Sequence, residues 1–261
     1  MSRHFSIFVL VVTGLYFALF FLWPIAETLW GAFVTTDGSL TFSYLLEVFR
    51  NPIYLEGLSN AFFLAVASTA LAIALALPLA FLSDRFTFPG KGVLSGLVLV
   101  PMILPPFVGA IGVKQILGQA GALNSLLQAV GMMSPEHPVD WLGQGRFWGV
   151  VMMNALHLYP ILYLNLVAAL ANLDPAMEEA AENLGCTGLR KFRRITLPLI
   201  MPGLFAGGTI VFIWAFTELG VPLMFEYTRV TSVQIFSGIK DIGGNPFPFA
   251  LVAVIIGRAH V

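Results

Sequence analysis

The sequence predicts an all-α protein whose helices cross a membrane six times, the sixth crossing being incomplete. Three observations carry that expectation. Of 261 residues, 58% are hydrophobic and 10% charged, against about 25% charged in a typical soluble domain, so the charges are too few to cover a water-facing globule of this size. Charge-free runs extend from Phe5 to Ala26, Gly57 to Ser83, Gly92 to Val113, Phe147 to Leu173 and Ile195 to Thr217. Each can supply the roughly 20 apolar helical residues that cross a bilayer core about 30 Å thick. A further apolar stretch starts near Pro246.

One membrane domain is therefore expected over 1–261, with spans at 5–27, 57–83, 92–113, 147–171, 199–224 and, incomplete, 247–261. The first run begins with Arg3 and His4, as a signal peptide does, but its apolar part continues past Trp23. That is longer than the usual signal core, and no small-residue cleavage pattern follows, so it reads as a retained span. The end, Ile256-Gly257-Arg258-Ala259-His260-Val261, breaks an apolar span with charge. One codon choice for it matches a common sequencing adapter, so 256–261 is read as an artefact of assembly. Cys186 is the single cysteine, which excludes an internal disulfide and a cysteine metal cluster. The net charge of −1 argues against nucleic acid as a partner.

Orientation follows from the basic residues, which favour cytoplasmic loops. With the N-terminus inside, the inner segments carry Arg3, Arg85, Lys91, Arg190, Lys191, Arg193 and Arg194, and the outer ones Arg50, Lys114, Arg146, Arg229 and Lys240. The cluster before Ile195 decides the sign. The longer loops 35–58 and 114–146 then lie outside, where they either contact a partner or only connect spans.

Prolines inside the spans remove backbone hydrogen bonds, and in lipid each freed carbonyl must find another partner. The stretch Val100-Pro101-Met102-Ile103-Leu104-Pro105-Pro106 should be the most distorted. Polar residues near the spans are Glu27, Asn154, His157, Asn165 and Glu218. Intramembrane polar groups are candidates for a translocation path, so Asn154, His157 and Glu218 are candidates, with span-end placement or interhelical hydrogen bonding as the alternative. Gly203 and Gly207 form a small-xxx-small pair that admits close helix packing, either within the chain or between subunits.

The segment 174–198 differs from a simple connector. Asp174 suits an N-cap, with Pro175 at the first helical position. Glu178, Glu179 and Glu182 lie early in that helix, where its dipole favours anions. Gly185 suits a left-handed stop. Thr187 can cap a second short helix ending in Arg190, Lys191, Arg193 and Arg194, which Pro198 closes. Helix, glycine turn, helix on the cytoplasmic side suits docking to a partner, with Ala180 and Ala181 permitting close approach; an amphipathic hairpin lying on lipid is the alternative.

These residues carry a family resemblance. Glu179-Ala180-Ala181, Gly185, Ile195, Leu197 and Pro198 match, in identity and spacing, the EAA loop of binding-protein-dependent ABC importer permeases. The resemblance implies the six-helix core of type I importer permeases. It also implies an ATPase-coupling role for Glu179, Ala180, Ala181, Gly185, Ile195, Leu197 and Pro198. Its partners would be an ATP-binding cassette subunit dimer, an extracytoplasmic solute-binding protein and a second permease half, as a homodimer or fused repeat. It would be a multi-pass protein of the bacterial inner membrane, with alternating access about a midplane site.

ATP and Mg would be used by the partner, with no cofactor bound by this chain. The only Gly-Lys, Gly90-Lys91, is followed by Gly92 and so is no P-loop. Ala215-Phe216-Thr217-Glu218-Leu219-Gly220-Val221-Pro222-Leu223 resembles a stretch of iron(III), thiamine and polyamine permeases. Iron(III) is favoured, with polyamine, thiamine, phosphonate and molybdate as alternatives. A secondary transporter or channel would need no ATPase partner. A membrane enzyme is disfavoured, since no Gly-x-Ser-x-Gly or His-Glu-x-x-His occurs.

Overall fold

The computed structural model describes residues 3–35, 37–143, 146–240 and 246–258, with side chains to 256. The described residues form helices and one isolated antiparallel bridge, Val34 with Leu40. In chain order the helices are α1 (Arg3–Gly31), α2 (Ser43–Arg50), α3 (Pro52–Arg85), α4 (Lys91–Ile103), α5 (Pro106–Leu117) and α6 (Ala122–Ala129). They continue with α7 (Phe147–Ala171), α8 (Pro175–Asn183), α9 (Gly188–Thr217), α10 (Gly220–Met224), α11 (Thr231–Lys240) and α12 (Phe247–Arg258).

Four of these, α1, α3, α7 and α9, are long and apolar enough to cross a membrane, and α4 with the helical segment after it makes a further, bent candidate. The region expected as one span at 92–113 is broken. Leu104 is extended (φ −85°, ψ 134°) because it precedes Pro105, and Pro106 starts the next helix, so the chain bends by 96° there. The apolar part of α12 is short, Phe247–Ile256, and residues 259–261 of the suspected artefact lie outside the described residues.

The chain divides into two compact units, 1–60 with 229–261 and 61–228. In the first, Phe249 of α12 lies against Gly31 at the end of α1, where an added Cβ would sit 3.1 Å from the ring. The Phe247 ring meets Tyr44 and Tyr54 at 5.9 and 5.5 Å between centroids. Asn60 donates to the Arg229 carbonyl (2.8 Å) and Gln234 to that of Ile53 (2.8 Å).

In the second unit α7 is apolar on all sides and correspondingly the most buried helix, its Leu158, Leu162 and Leu166 being closed off from solvent. Ala72, Ala76 and Ala80 repeat every four residues along α3 and form a small-residue stripe in the same core. Ile200, Val211 and Ala215 of α9 and Val98 of α4 complete it. Gly203 and Gly207 of α9 approach α7 closely: a Cβ on Gly203 would stand 2.6 Å from that of Ala169, and one on Gly207 3.1 Å from that of Asn165.

Two single π turns occur among the described residues, Ala18–Leu22 in α1 and Phe192–Thr196 in α9. Each ends two residues before a proline, Pro24 and Pro198, where no amide is available to continue the regular ladder.

Candidate functional site

Segment 174–198 is built from local signals. Asp174 is extended (ψ 115°), and its carboxylate accepts the Ala176 amide at 2.9 Å, starting α8 with Pro175 at its first turn. At the other end Cys186 N–H donates to the Ala181 carbonyl and Gly185 N–H to that of Glu182, both at 2.9 Å. With Gly185 at φ +77°, this is the paired closure of a Schellman motif.

The second half departs from expectation. Thr187 stands at the capping position but makes no side-chain cap bond, and Pro198 does not close the helix. The helix continues from Gly188 through the π turn into the long span α9, because Pro198 follows an already widened turn rather than interrupting a regular one.

The faces of α8 are distinct. Met177, Glu179, Ala180 and Leu184 are exposed, Leu184 by 88%. Met177, Ala180 and Leu184 follow helical spacing and form an apolar stripe with no cover from this chain. Ala181, expected on the docking side, is turned inward at 7% exposure. Gly185 and Pro198 are exposed, while Ile195 and Leu197 are half-buried in the root of α9.

Also inward is Glu178, which the sequence offered only as a dipole-favoured carboxylate. It is 6% exposed, with Oε2 2.8 Å from Arg85 Nη1 and Oε1 accepting from Thr196 Oγ1 at 2.6 Å. Lys191 reaches Glu182 at 2.6 Å. A cavity of about 590 Å³ opens beside Arg85 and Glu178, walled by Leu77, Phe81, Phe86, Leu189 and Phe192. A carboxylate beside an arginine more than ninety positions away has no local signature in the sequence.

The three candidate path residues are placed in different settings. His157 Nδ1 lies 3.0 Å from the Pro101 carbonyl, and its ring meets Trp214 edge-on. Pro101 is four residues before Pro105, which has no N–H, so the histidine serves the carbonyl that the proline leaves free. Asn154 is 2% exposed, and its amide nitrogen has no hydrogen-bond partner. Glu218 stands in the break between α9 and α10, where its carboxylate accepts the amides of Gly220 (2.9 Å) and Val221 (3.3 Å) and so caps α10.

A second charged cluster escaped the sequence reading. Glu226 bridges Lys114 (2.7 Å) and Arg146 (2.8 Å), and the two cations also donate to the Met224 and Phe225 carbonyls. Arg146 (φ +58°) and Glu226 (φ +56°) are the two non-glycine residues with left-handed backbone among those described. The Lys114 hydrogen bond, then that of Arg146, holds the Glu226 carboxyl below the usual carboxylate range. Among the described residues no three His, Cys, Asp or Glu side chains converge as metal ligands.

Comparison with known proteins gives one family. Residues 76–257 match the family described as binding-protein-dependent transport system inner membrane component. The chain is 33% identical over 206 residues to the probable molybdenum ABC transporter permease protein of Haloferax volcanii, covering 78% of this chain and 72% of that one. It is 31% identical over 185 residues to a putative ferric transport system permease protein of Haemophilus influenzae, covering 71% of this chain and 27% of that one. Other relatives are named for spermidine/putrescine and 2-aminoethylphosphonate transport. The fold resembles the crystal structure of a bacterial ABC transporter involved in the import of the acidic polysaccharide alginate, with a TM-score of 0.73 and 20% identity over 99% of this chain and 91% of that one. The chain belongs to the binding-protein-dependent ABC importer permeases, the inner membrane components of such transport systems.

Proposed function

We propose that this permease moves a small solute into the cytoplasm by alternating access, driven by a separate ATP-binding subunit that docks on α8. The supporting observation is the exposed apolar stripe Met177, Ala180 and Leu184 on a capped, Schellman-closed helix at the root of a span. A hairpin lying on lipid would not need the EAA spacing that coincides with it. The N-terminus lies on the cytoplasmic side, as the basic cluster before Ile195 favours. The assembly has two permease halves and receives its cargo from an extracytoplasmic binding protein. ATP and Mg belong to the ATP-binding subunit, and this chain binds no cofactor. The cargo is read as a small solute only: ferric iron, favoured from the stretch Ala215–Leu223, shares the relatives' names with molybdenum, polyamines and a phosphonate.

The test is co-purification from the native host. Tagged wild type is expected to bring an ATP-binding subunit with it. An Ala180→Glu, Leu184→Glu variant, inserted equally well, is expected to lose it. Well-folded wild type that brings none would point instead to a secondary transporter or channel.

A further inference from the structure

The exposed stripe of α8 explains docking, but a docked helix drives transport only if its displacement reaches the spans. One buried carboxylate makes that connection. Glu178, on the inward face of α8, is joined to Arg85 in the last turn of α3 (2.8 Å) and to Thr196, itself 1% exposed, in the π turn of α9 (2.6 Å). Two residues before Arg85, Ser83 accepts the Tyr163 hydroxyl of α7 at 2.9 Å, so the same end of α3 is also held to the core helix. Glu182 with Lys191 joins α8 to the start of α9 as well, but that carboxylate is half exposed and its pair screened.

A buried carboxylate separated from its cation is strongly disfavoured, so the Glu178 contacts resist being drawn apart where the exposed pair yields. The π turn adds a reason for motion to pass there, since irregular turns inside helices concentrate at functional positions.

Resting on the coupling role proposed for α8, we infer that Glu178 is the positioning residue that makes α8 move as one body with the ends of α3 and α9, through Arg85 and Thr196. It touches neither nucleotide nor cargo. Its work is to turn a displacement of α8 into a displacement of two spans.

The test uses the full transporter, purified through a tagged permease together with its ATP-binding subunit. In a Cys186→Ser background, single cysteines at Asn183 (α8), Leu82 (α3) and Arg193 (α9) carry spin labels. Distances between the two permease halves are read before and after trapping with Mg-ATP and vanadate. In the wild-type background trapping is expected to shift all three distances. With Glu178→Gln the α8 shift is expected to stay, while the α3 and α9 shifts fall to about half or less. The reversed pair Arg85→Glu, Glu178→Arg should restore the α3 shift. Where Glu178→Gln does not fold, Arg85→Gln is expected to reduce the α3 shift and Thr196→Val the α9 shift.

Wild-type shifts in all three positions of these variants would overturn the inference while leaving the proposed function intact. So would loss of the α8 shift with the ATP-binding subunit still bound. Absence of that subunit from the wild-type preparation would instead overturn the proposed function itself.

Discussion

Single residues in this protein settle debts left by the backbone. Pro105 offers no N–H, and the Pro101 carbonyl that would have received it is met by His157 at 3.0 Å. Because a carbonyl only accepts, Nδ1 must carry the proton. His157→Leu removes the donor and leaves a carbonyl unpaired inside a span. It is expected to lower stability by about 1–3 kcal/mol, read from thermal unfolding in detergent. Glu226 gives a pH dependence with a defined sign. Its carboxyl is held below the usual range by Lys114 and Arg146. A carboxylate whose folded pKa is lowered stabilises fully above its unfolded value and loses that contribution as pH falls through the folded one. The difference in melting temperature between wild type and Glu226→Gln should therefore stay constant from neutral pH down to about pH 5 and shrink below it, as the unfolded carboxyl and then the folded one take up a proton. Glu226 is exposed, so added salt should shrink the difference as well.

At the scale of elements, small residues set how closely helices approach. The Gly203 and Gly207 pair was legible in the sequence as a close-packing signal, but its partner was not; in the folded chain it is α7, through Asn165 and Ala169. Gly208, next to Gly207, has nothing within 4 Å of an added Cβ. Gly203→Ala is expected to cost about 1–3 kcal/mol by forcing α9 off α7. Gly208→Ala should be neutral or stabilising, because alanine favours helix over glycine. Comparing their unfolding temperatures tests the packing directly, and equal effects would contradict it. Prolines divide in the same way. Pro78, Pro160 and Pro202 sit inside regular helices, while Pro24 and Pro198 follow π turns and Pro105 accompanies a 96° bend. Sequence singles out the stretch around Pro105 as the most distorted, and the bend lies there; it does not separate the other prolines, since their outcome depends on which neighbours accept the freed groups.

For the whole molecule the open quantity is which way the chain faces, and the protein carries its own probe. Cys186 is the only cysteine and closes the turn after α8. A membrane-impermeant maleimide is expected to label it in inverted vesicles and not in intact cells; the opposite pattern would reverse the proposed orientation. Much of this architecture was written in the chain. Membrane residence follows from composition, since too few charges cannot solvate a globule. Helix positions follow from charge-free runs, and the helical hairpin from Asp174, Pro175 and Gly185, whose capping bonds all lie within one turn of the residues that make them. The resemblance to importer permeases followed from the identity and spacing of Glu179-Ala180-Ala181, Gly185, Ile195, Leu197 and Pro198. Tertiary structure decided the rest: the inward turn of Ala181, the passage of α9 through Pro198, the service of His157 to Pro101, and the junction of Glu178 with Arg85 and Thr196. Short-range bonds are set by local chain geometry and can be read in order along the sequence. Pairs between distant helices exist only once packing has fixed which faces meet.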